Sequence, residues 1–566
     1  MAQGQLGEGA AELRGTGVGR SLAVGRVLIM PETPADPAPG SHGGDAAAEK
    51  AALAAAVRAV ADQLGALAAR ADGPGRDVIE AAIRMAEDPM LAEDVDARID
   101  AGTTAERAVF EGFQAFQEQL TALGGDLAER AADLGDVSRR IIAALRGVPV
   151  AAVPASETPF ILLADDLAPA ETALLDLTKV LGLITRGGGP TGHTAILARA
   201  RGIPAIVGIG RDAVIAEGAH VILDASSGVV VVDPGAAQLA DAETRIAAQA
   251  AGAAGPHGDE APAGALADGT RIPLLANLGS PSGAADAVAG GAEGVGLLRT
   301  EFLFLDAHTA PTVAEQQRHY REVLSHFPGK KVVARVLDAG ADKPLGFLGT
   351  GNEPNPALGL RGLRALRAAP QILADQLQAL KNAHDETVAA GNPAELWVMA
   401  PMVADAGETR YFVELARGIG LQSVGVMAEV PSLALLADQV LAIADFVSIG
   451  TNDLTQYALA ADRTLGAAAS YQDPWHPAVL RLIKMLGDAG AAAGKPVGIC
   501  GEAAADPALA VVLVGLGATS LSMAPAALAD VRAELAGVTR ERARAKAAAA
   551  LSADSAASAR AAAARA

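Results

Sequence analysis

Residues 446–453 read FVSIGTND, an apolar run that breaks at Gly450 and ends in two polar side chains, Asn452 and Asp453. A run this short, bounded by glycine, predicts a strand buried on both faces rather than a turn of helix. The same pattern recurs through the second half of the chain. It appears as RIPLLANL (271–278), GVGLLRTEF (294–302), KVVARVLD (331–338), LWVMAPM (396–402), SVGVMAEV (423–430), PVGICGE (496–502) and SLSMAP (520–525). Enough residues for a helix separate each candidate strand from the next. Eight βα units in about 270 residues have the size of a TIM (β/α)8 barrel. A doubly wound open sheet is the alternative that periodicity leaves open.

In a barrel, chemistry collects where strands end. Arg299 closes the second strand, Arg335 and Asp338 the third, Glu429 the fifth, Asn452 and Asp453 the sixth, and Cys500 and Glu502 the seventh. Arg361 lies in the long loop after the third strand and Arg463 follows the sixth. Guanidinium forks suit phosphate and carboxylate oxygens. Glu429 and Asp453 can hold a divalent cation such as Mg²⁺, which keeps its other positions for substrate oxygens and water. They can equally serve as salt-bridge partners of the arginines. Cys500 reads either as an inert core thiol or as a proton donor.

The first half is organised differently. Strand patterns at residues 17–30 give way from about Asp45 to Gly147 to alanine-rich helical spacing, and strands then return from PFILLADDL (159–167) onward. An α/β domain of residues 1–44 and 148–237 is therefore expected, interrupted by a helical insertion at 45–147. A helix and flexible Gly/Pro/Ala connector (238–267), the barrel (268–537) and an Ala/Arg-rich frayed helix or tail (538–566) complete the division. Within the α/β domain, GGGPTGHTAILARARGIPAIVG (187–208) sets His193 after a glycine-rich turn at the mouth of a helix, with Thr191 as its N-cap. Backbone N–H groups and the helix dipole there favour an anion and a neutral, nucleophilic imidazole. The plainer alternative is that His193 caps or packs.

The composition narrows the classes. A net charge of −21 argues against nucleic acid as a partner. The one cysteine excludes an intrachain disulfide and suits a reducing, cytoplasmic compartment. The N-terminus, MAQGQLGEGAAELRG, lacks a signal-peptide core. Residues 509–529 are long enough to span a bilayer, but glycine, serine, threonine and proline divide them into a helix, a turn and a strand, so no membrane insertion is expected.

These motifs carry a family resemblance. GGPTGHTAILAR resembles the phosphohistidine signature of phosphoenolpyruvate-utilising enzymes. GVGLLRTEFLF, NPALGLRGLR, VMAEVPS, SIGTNDLTQYALAADR and GICGE are similar to barrel motifs of Enzyme I of the bacterial sugar phosphotransferase system, in the family's order over residues 15–535. The resemblance implies a swivelling phosphohistidine domain in which His193 accepts the phosphoryl group of phosphoenolpyruvate and passes it to the phosphocarrier protein HPr. Thr172 matches the threonine near that histidine, and Lys343 is retained in the DAGADK segment. Arg299, Arg335, Arg361, Asn452, Asp453 and Arg463 would bind substrate. Glu429 and Asp453 would bind Mg²⁺, and Cys500 would protonate the enolate to pyruvate. The helical insertion would dock HPr through faces that include Glu80 and Glu87, and the barrel would form a homodimer.

Two positions depart from the family pattern, Gly192 beside the histidine and Ala341 in DAGADK. A pyruvate phosphate dikinase or phosphoenolpyruvate synthase would need an ATP-binding domain for which residues 1–16 leave no room. A nitrogen-related Enzyme I would carry an N-terminal sensory domain. An unreactive HPr-docking paralogue is disfavoured by retention of His193, the four arginines, both carboxylates and Cys500.

Overall fold

The computed structural model describes residues 11–19, 22–31, 36–69, 74–123, 125–148, 153–154, 156–167, 175–176, 178–188, 194–195, 198, 202–225, 227–253, 262–304, 307, 309–339, 345–348, 353, 355–463, 468 and 471–566. The chain divides into two compact units, Met1–Ala248 and Gln249–Ala566.

The first unit is built on a mixed sheet. Its described strands are β1 (Ala11–Arg14), β2 (Thr16–Val18), β3 (Leu22–Ile29), β4 (Phe160–Ala164), β5 (Val180–Thr185), β6 (Ala205–Val207), β7 (His220–Asp224) and β8 (Val229–Val232). They lie in the order β1-β8-β7-β3-β4-β5-β6-β2. The β3–β4 and β4–β5 pairs are parallel, and β4 (FILLA) is buried throughout. That is why it reads as unbroken apolar sequence.

The helical insertion enters between β3 and β4. Its described helices are α1 (Ala46–Ala68), α2 (Pro74–Ala86), α3 (Pro89–Asp100), α4 (Ala105–Leu123) and α5 (Gly125–Leu145). The Asp45 carboxylate caps α1 by accepting from Ala48 N, and Asp88 caps α3 through Met90 N and Leu91 N, with Pro89 in the first turn. Leu53, Val60 and Leu64 of α1 join Val95, Ile99, Val109 and Ile141 in one core. Among the described residues α1 is the one helix long and apolar enough to cross a membrane. Its apolar stripe is instead buried in this bundle.

In the second unit the open-sheet alternative is excluded by a closed, all-parallel barrel. It is formed by β9 (Leu274–Leu278), β10 (Gly294–Leu298), β11 (Lys331–Arg335), β12 (Glu395–Ala400), β13 (Ser423–Ala428), β14 (Val447–Ile449), β15 (Val497–Ile499) and β16 (Ser520–Met523). Each matches one of the quoted runs. Leu297, Val333, Met399, Met427, Phe446 and Cys500 form their own buried cluster. The 509–529 run divides as its breakers predict, into helix Pro507–Gly515 and strand β16.

Two expectations are corrected. The connector is docked on the barrel at residues 262–267, whereas its helix packs Leu239, Ala242 and Ile246 against Leu22 and Ile222 of the first unit. Gly264 N and Leu274 N both donate to the Glu293 carboxylate, Ala265 bridges Arg271, and Leu266 is buried. The segment 538–566, expected as a frayed helix or tail without a face to bury, forms two packed helices, Arg540–Leu551 and Ala556–Arg565. Ala543, Ala547, Ala550, Ala559 and Ala563 are buried in the barrel's hydrophobic core. Alanines recurring every three or four residues form a smooth stripe that a close helix neighbour covers.

Candidate functional site

Barrel closure brings residues far apart in sequence to the carboxyl ends of the strands. Arg335, the last residue of β11, is 7% exposed and donates through Nη2 to Glu301 Oε1 at 2.9 Å. Its Nη1 lies 3.0 Å from Asp338 Oδ2. Arg361 sits between two carboxylates: Nη2 is 3.0 Å from both Asp338 Oδ2 and Asp453 Oδ2, and Nη1 is 2.8 Å from Asp453 Oδ1. Burial opposes charge on both arginines, but Glu301, Asp338 and Glu429 around Arg335, and Asp338 and Asp453 around Arg361, outweigh it and raise both pKa values.

Glu429 is 1% exposed at the end of β13, where its Oε1 accepts from Met402 N at 2.7 Å. Met402 takes φ +58° to present that N–H, a costly backbone for a non-glycine residue. The fit is close. A Cβ on Gly362 would stand 2.9 Å from the Met402 side chain, and one on Gly450 would stand 2.7 Å from Glu429 Oε2. Burial, with Asp453 and Asp338 adding to it, pushes the Glu429 carboxyl up to about 8. Cys500 Sγ donates to Ile449 O at 3.4 Å, while its own carbonyl accepts from Asn277 Nδ2 at 3.0 Å.

One donor is conspicuous here. Arg335 Nε is buried with no partner among the described residues, and Glu301 Oε2 is likewise unmatched. Unpaired buried groups of this kind cost stability unless a ligand completes them. The mouth can therefore bind an anion beside a buried carboxylate pair.

Comparison with known proteins agrees with this geometry. Residues 259–540 match the PEP-binding domain of PEP-utilising enzymes, residues 156–228 their mobile domain, and residues 14–130 their N-terminal region. The chain is 51% identical over 537 residues to the phosphoenolpyruvate-protein phosphotransferase of Streptomyces coelicolor, covering 93% of this chain and 94% of the relative. The chain belongs to the Enzyme I family. Two further phosphoenolpyruvate-protein phosphotransferases are similar over most of their length. That of Geobacillus stearothermophilus is 36% identical over 550 residues, 94% of each chain, and that of Haloferax volcanii is 39% identical over 475 residues, 81% of each. Enzyme I chains are phosphoenolpyruvate-dependent phosphotransferases, and this one is an enzyme of that class.

Of the Enzyme I residues expected from sequence, Arg335, Arg361, Glu429, Asp453 and Cys500 come together in one buried group. Arg463 stands at its edge, 4.0 Å from Asp453. Arg299 is exposed just past β10, near enough for its charge to act on Cys500. Asn452 and Asp453 lie in the first turn of helix Thr451–Leu459 rather than on β14 itself, and Asn452 Oδ1 accepts from Glu502 N. His193, Thr172, Thr191 and Lys343, with Gly192 and Ala341, lie outside the described residues. Glu80 and Glu87 are exposed on and just after α2.

Glu301 escaped the sequence reading, although it stands two residues after Arg299 in the quoted RTEF. Asp338 was placed at a strand end without its role as the bridge between two arginines. The available signal was composition: buried arginines need carboxylates close by.

Proposed function

We propose that this chain transfers the phosphoryl group of phosphoenolpyruvate to His193 and then to HPr, releasing pyruvate, as the first step of sugar uptake by the phosphotransferase system. The observation that supports it is the gathering of Arg335, Arg361, Glu429, Asp453 and Cys500 at one mouth of the barrel. Arg299 and Arg335 hold the substrate phosphate, with Arg335 Nε as a ready donor. Arg361, Asn452, Asp453 and Arg463 line the remaining oxygens. His193 Nε2 attacks phosphorus as the bond to the enol oxygen breaks. The enolate then takes the Cys500 proton at carbon, and the thiolate recovers one from solvent. Thr172, Thr191 and Lys343 support the two ends of this transfer.

Mg²⁺ fits the donor set. Glu429 and Asp453 are hard oxygen donors, and burial, with the charges of Asp453 and Asp338 adding to it, raises the Glu429 pKa, so that a cation there would be favoured. When bound, the ion neutralises phosphate and enolate oxygens. In the free protein Arg361 holds both oxygens of Asp453. Substrate oxygens would draw Arg361 away and free that carboxylate. Arg361→Met should therefore weaken phosphoenolpyruvate binding while strengthening Mg²⁺ binding in its absence by about tenfold. Calorimetry with Mg²⁺ alone checks this, and weaker Mg²⁺ binding would contradict the exchange.

The insertion at 45–147 docks HPr through faces bearing Glu80 and Glu87. The α/β domain (1–44 and 148–237) swivels about the 238–267 segment, and the barrel (268–537) forms a cytoplasmic homodimer. The deciding experiment gives the protein labelled phosphoenolpyruvate and Mg²⁺, then HPr. Label should pass to HPr with an equal yield of pyruvate, and label that stays behind would overturn the reading.

A further inference from the structure

The amino-terminal end of the barrel, opposite the strand ends described above, contains a cavity of about 830 Å³. Lys331, which begins β11, lines it together with Lys484, Lys495, Arg540 and Arg544, and the acid among the lining residues is Asp488. The chain as a whole carries 66 acidic and 45 basic residues, so five cations around one acid reverse its overall balance. In barrel enzymes that end of the barrel ordinarily contributes stability, and gathering like charges round a void there lowers stability.

Not all five cations are equally available. Lys484 is paired with Asp488, and Lys495 donates to the carbonyls of Leu441 and Ala444. Arg540 feels Asp268, whose carboxylate caps the Arg540 N–H. Arg544 has no ion pair with any described residue. It stands one helical turn from Arg540, where like charges repel. Lys331 lies over the Trp397 ring at 4.7 Å, and burial lowers its pKa against the opposing charge of Glu395. An anion would stabilise all three.

The size selects the ligand. A single phosphate fills a small part of such a space, which lies in the range of small-molecule sites. Val514, Leu516 and Leu551 supply an apolar wall. We propose that this mouth is a second anion site, for an organic polyphosphate of nucleoside diphosphate size, held by Arg540, Arg544 and Lys331. Lys331, Val333 and Arg335 alternate onto one face of β11, so its occupant would touch the strand that carries Arg335.

The test titrates the full chain, without Mg²⁺, with ADP and separately with inorganic pyrophosphate by calorimetry. ADP should bind saturably and more tightly than pyrophosphate. Arg540→Glu/Arg544→Glu should weaken both by about tenfold or more. These side chains are exposed, and the face their helix buries is the Ala543, Ala547 and Ala550 stripe, so the variant should keep its melting temperature. Lys331→Met, which keeps an apolar stem over Trp397, should weaken both as well. Absence of saturable binding, equal affinity for the two probes, or undiminished affinity in the double variant would overturn the proposal. The last result would place the anion elsewhere, including the catalytic mouth.

Discussion

Phosphoenolpyruvate should label the wild-type chain in an acid-labile, base-stable form, and His193→Ala should remove that label entirely. The stability pattern separates phosphohistidine from a phosphate ester, which survives acid, and from an acyl phosphate, which is lost in base. On the proposed mechanism the imidazole is the nucleophile, so the loss should be complete. Among the described neighbours, Thr194 Oγ1 donates to Asp166 Oδ1 at 2.7 Å and accepts from Leu167 N at 3.3 Å, which ties Thr194 to the segment that follows β4. Gly208 N donates to Gly187 O, and Thr185 Oγ1 donates to the same carbonyl. Gly188 takes φ +79°, a conformation that a side chain would strain. The melting temperature of the alanine variant checks that loss of label is not loss of the fold. Label retained by a folded His193→Ala protein would show that the acceptor lies elsewhere.

The barrel was legible because parallel strands covered on both faces leave continuous apolar runs, and FVSIGTND is as plain as any. The ending at residues 538–566 was not. Alanine contributes little hydrophobic signal, and the stripe Ala543, Ala547, Ala550 acquires meaning only against its partner helix. There Gly515 lies so close that a Cβ would stand 2.2 Å from Ala543 O. A contact made by two small surfaces depends on both, and the sequence of one does not reveal the other. The connector misled for a similar reason, because its anchor is the Glu293 carboxylate 29 residues from Gly264. The site divides along the same line. Its arginines could be located at strand ends, but not their pairings. Arg335 meets Glu301 across 34 residues through the pairing of β10 with β11, and Arg361 meets Asp453 across 92 at the mouth of the barrel.

Cys500→Ala should lower turnover by about 10²–10⁴-fold, the usual contribution of a positioned proton donor, while leaving phosphoenolpyruvate affinity within about twofold of wild type. The thiol is 3% exposed, below the arginine and carboxylate layer, and its loss removes no charge from the anion site. Burial pushes its pKa up to about 11, with a hydrogen bond from Ser448 and the charges of Arg335 and Arg299 pulling the other way. The proton is thus held more tightly in the folded chain than at the ordinary value of 9.0. Its contribution to stability is complete below pH 9 and is lost as pH rises through about 11. For catalysis, the donor remains loaded over the whole neutral range, so the pH profile should show no thiol limb between 7 and 9. Cys500→Ser keeps a donor of nearly the same size and should restore part of the rate, which a purely packing role would not predict. Full turnover in the alanine variant would reduce Cys500 to a core residue and leave the enolate to be protonated by another group.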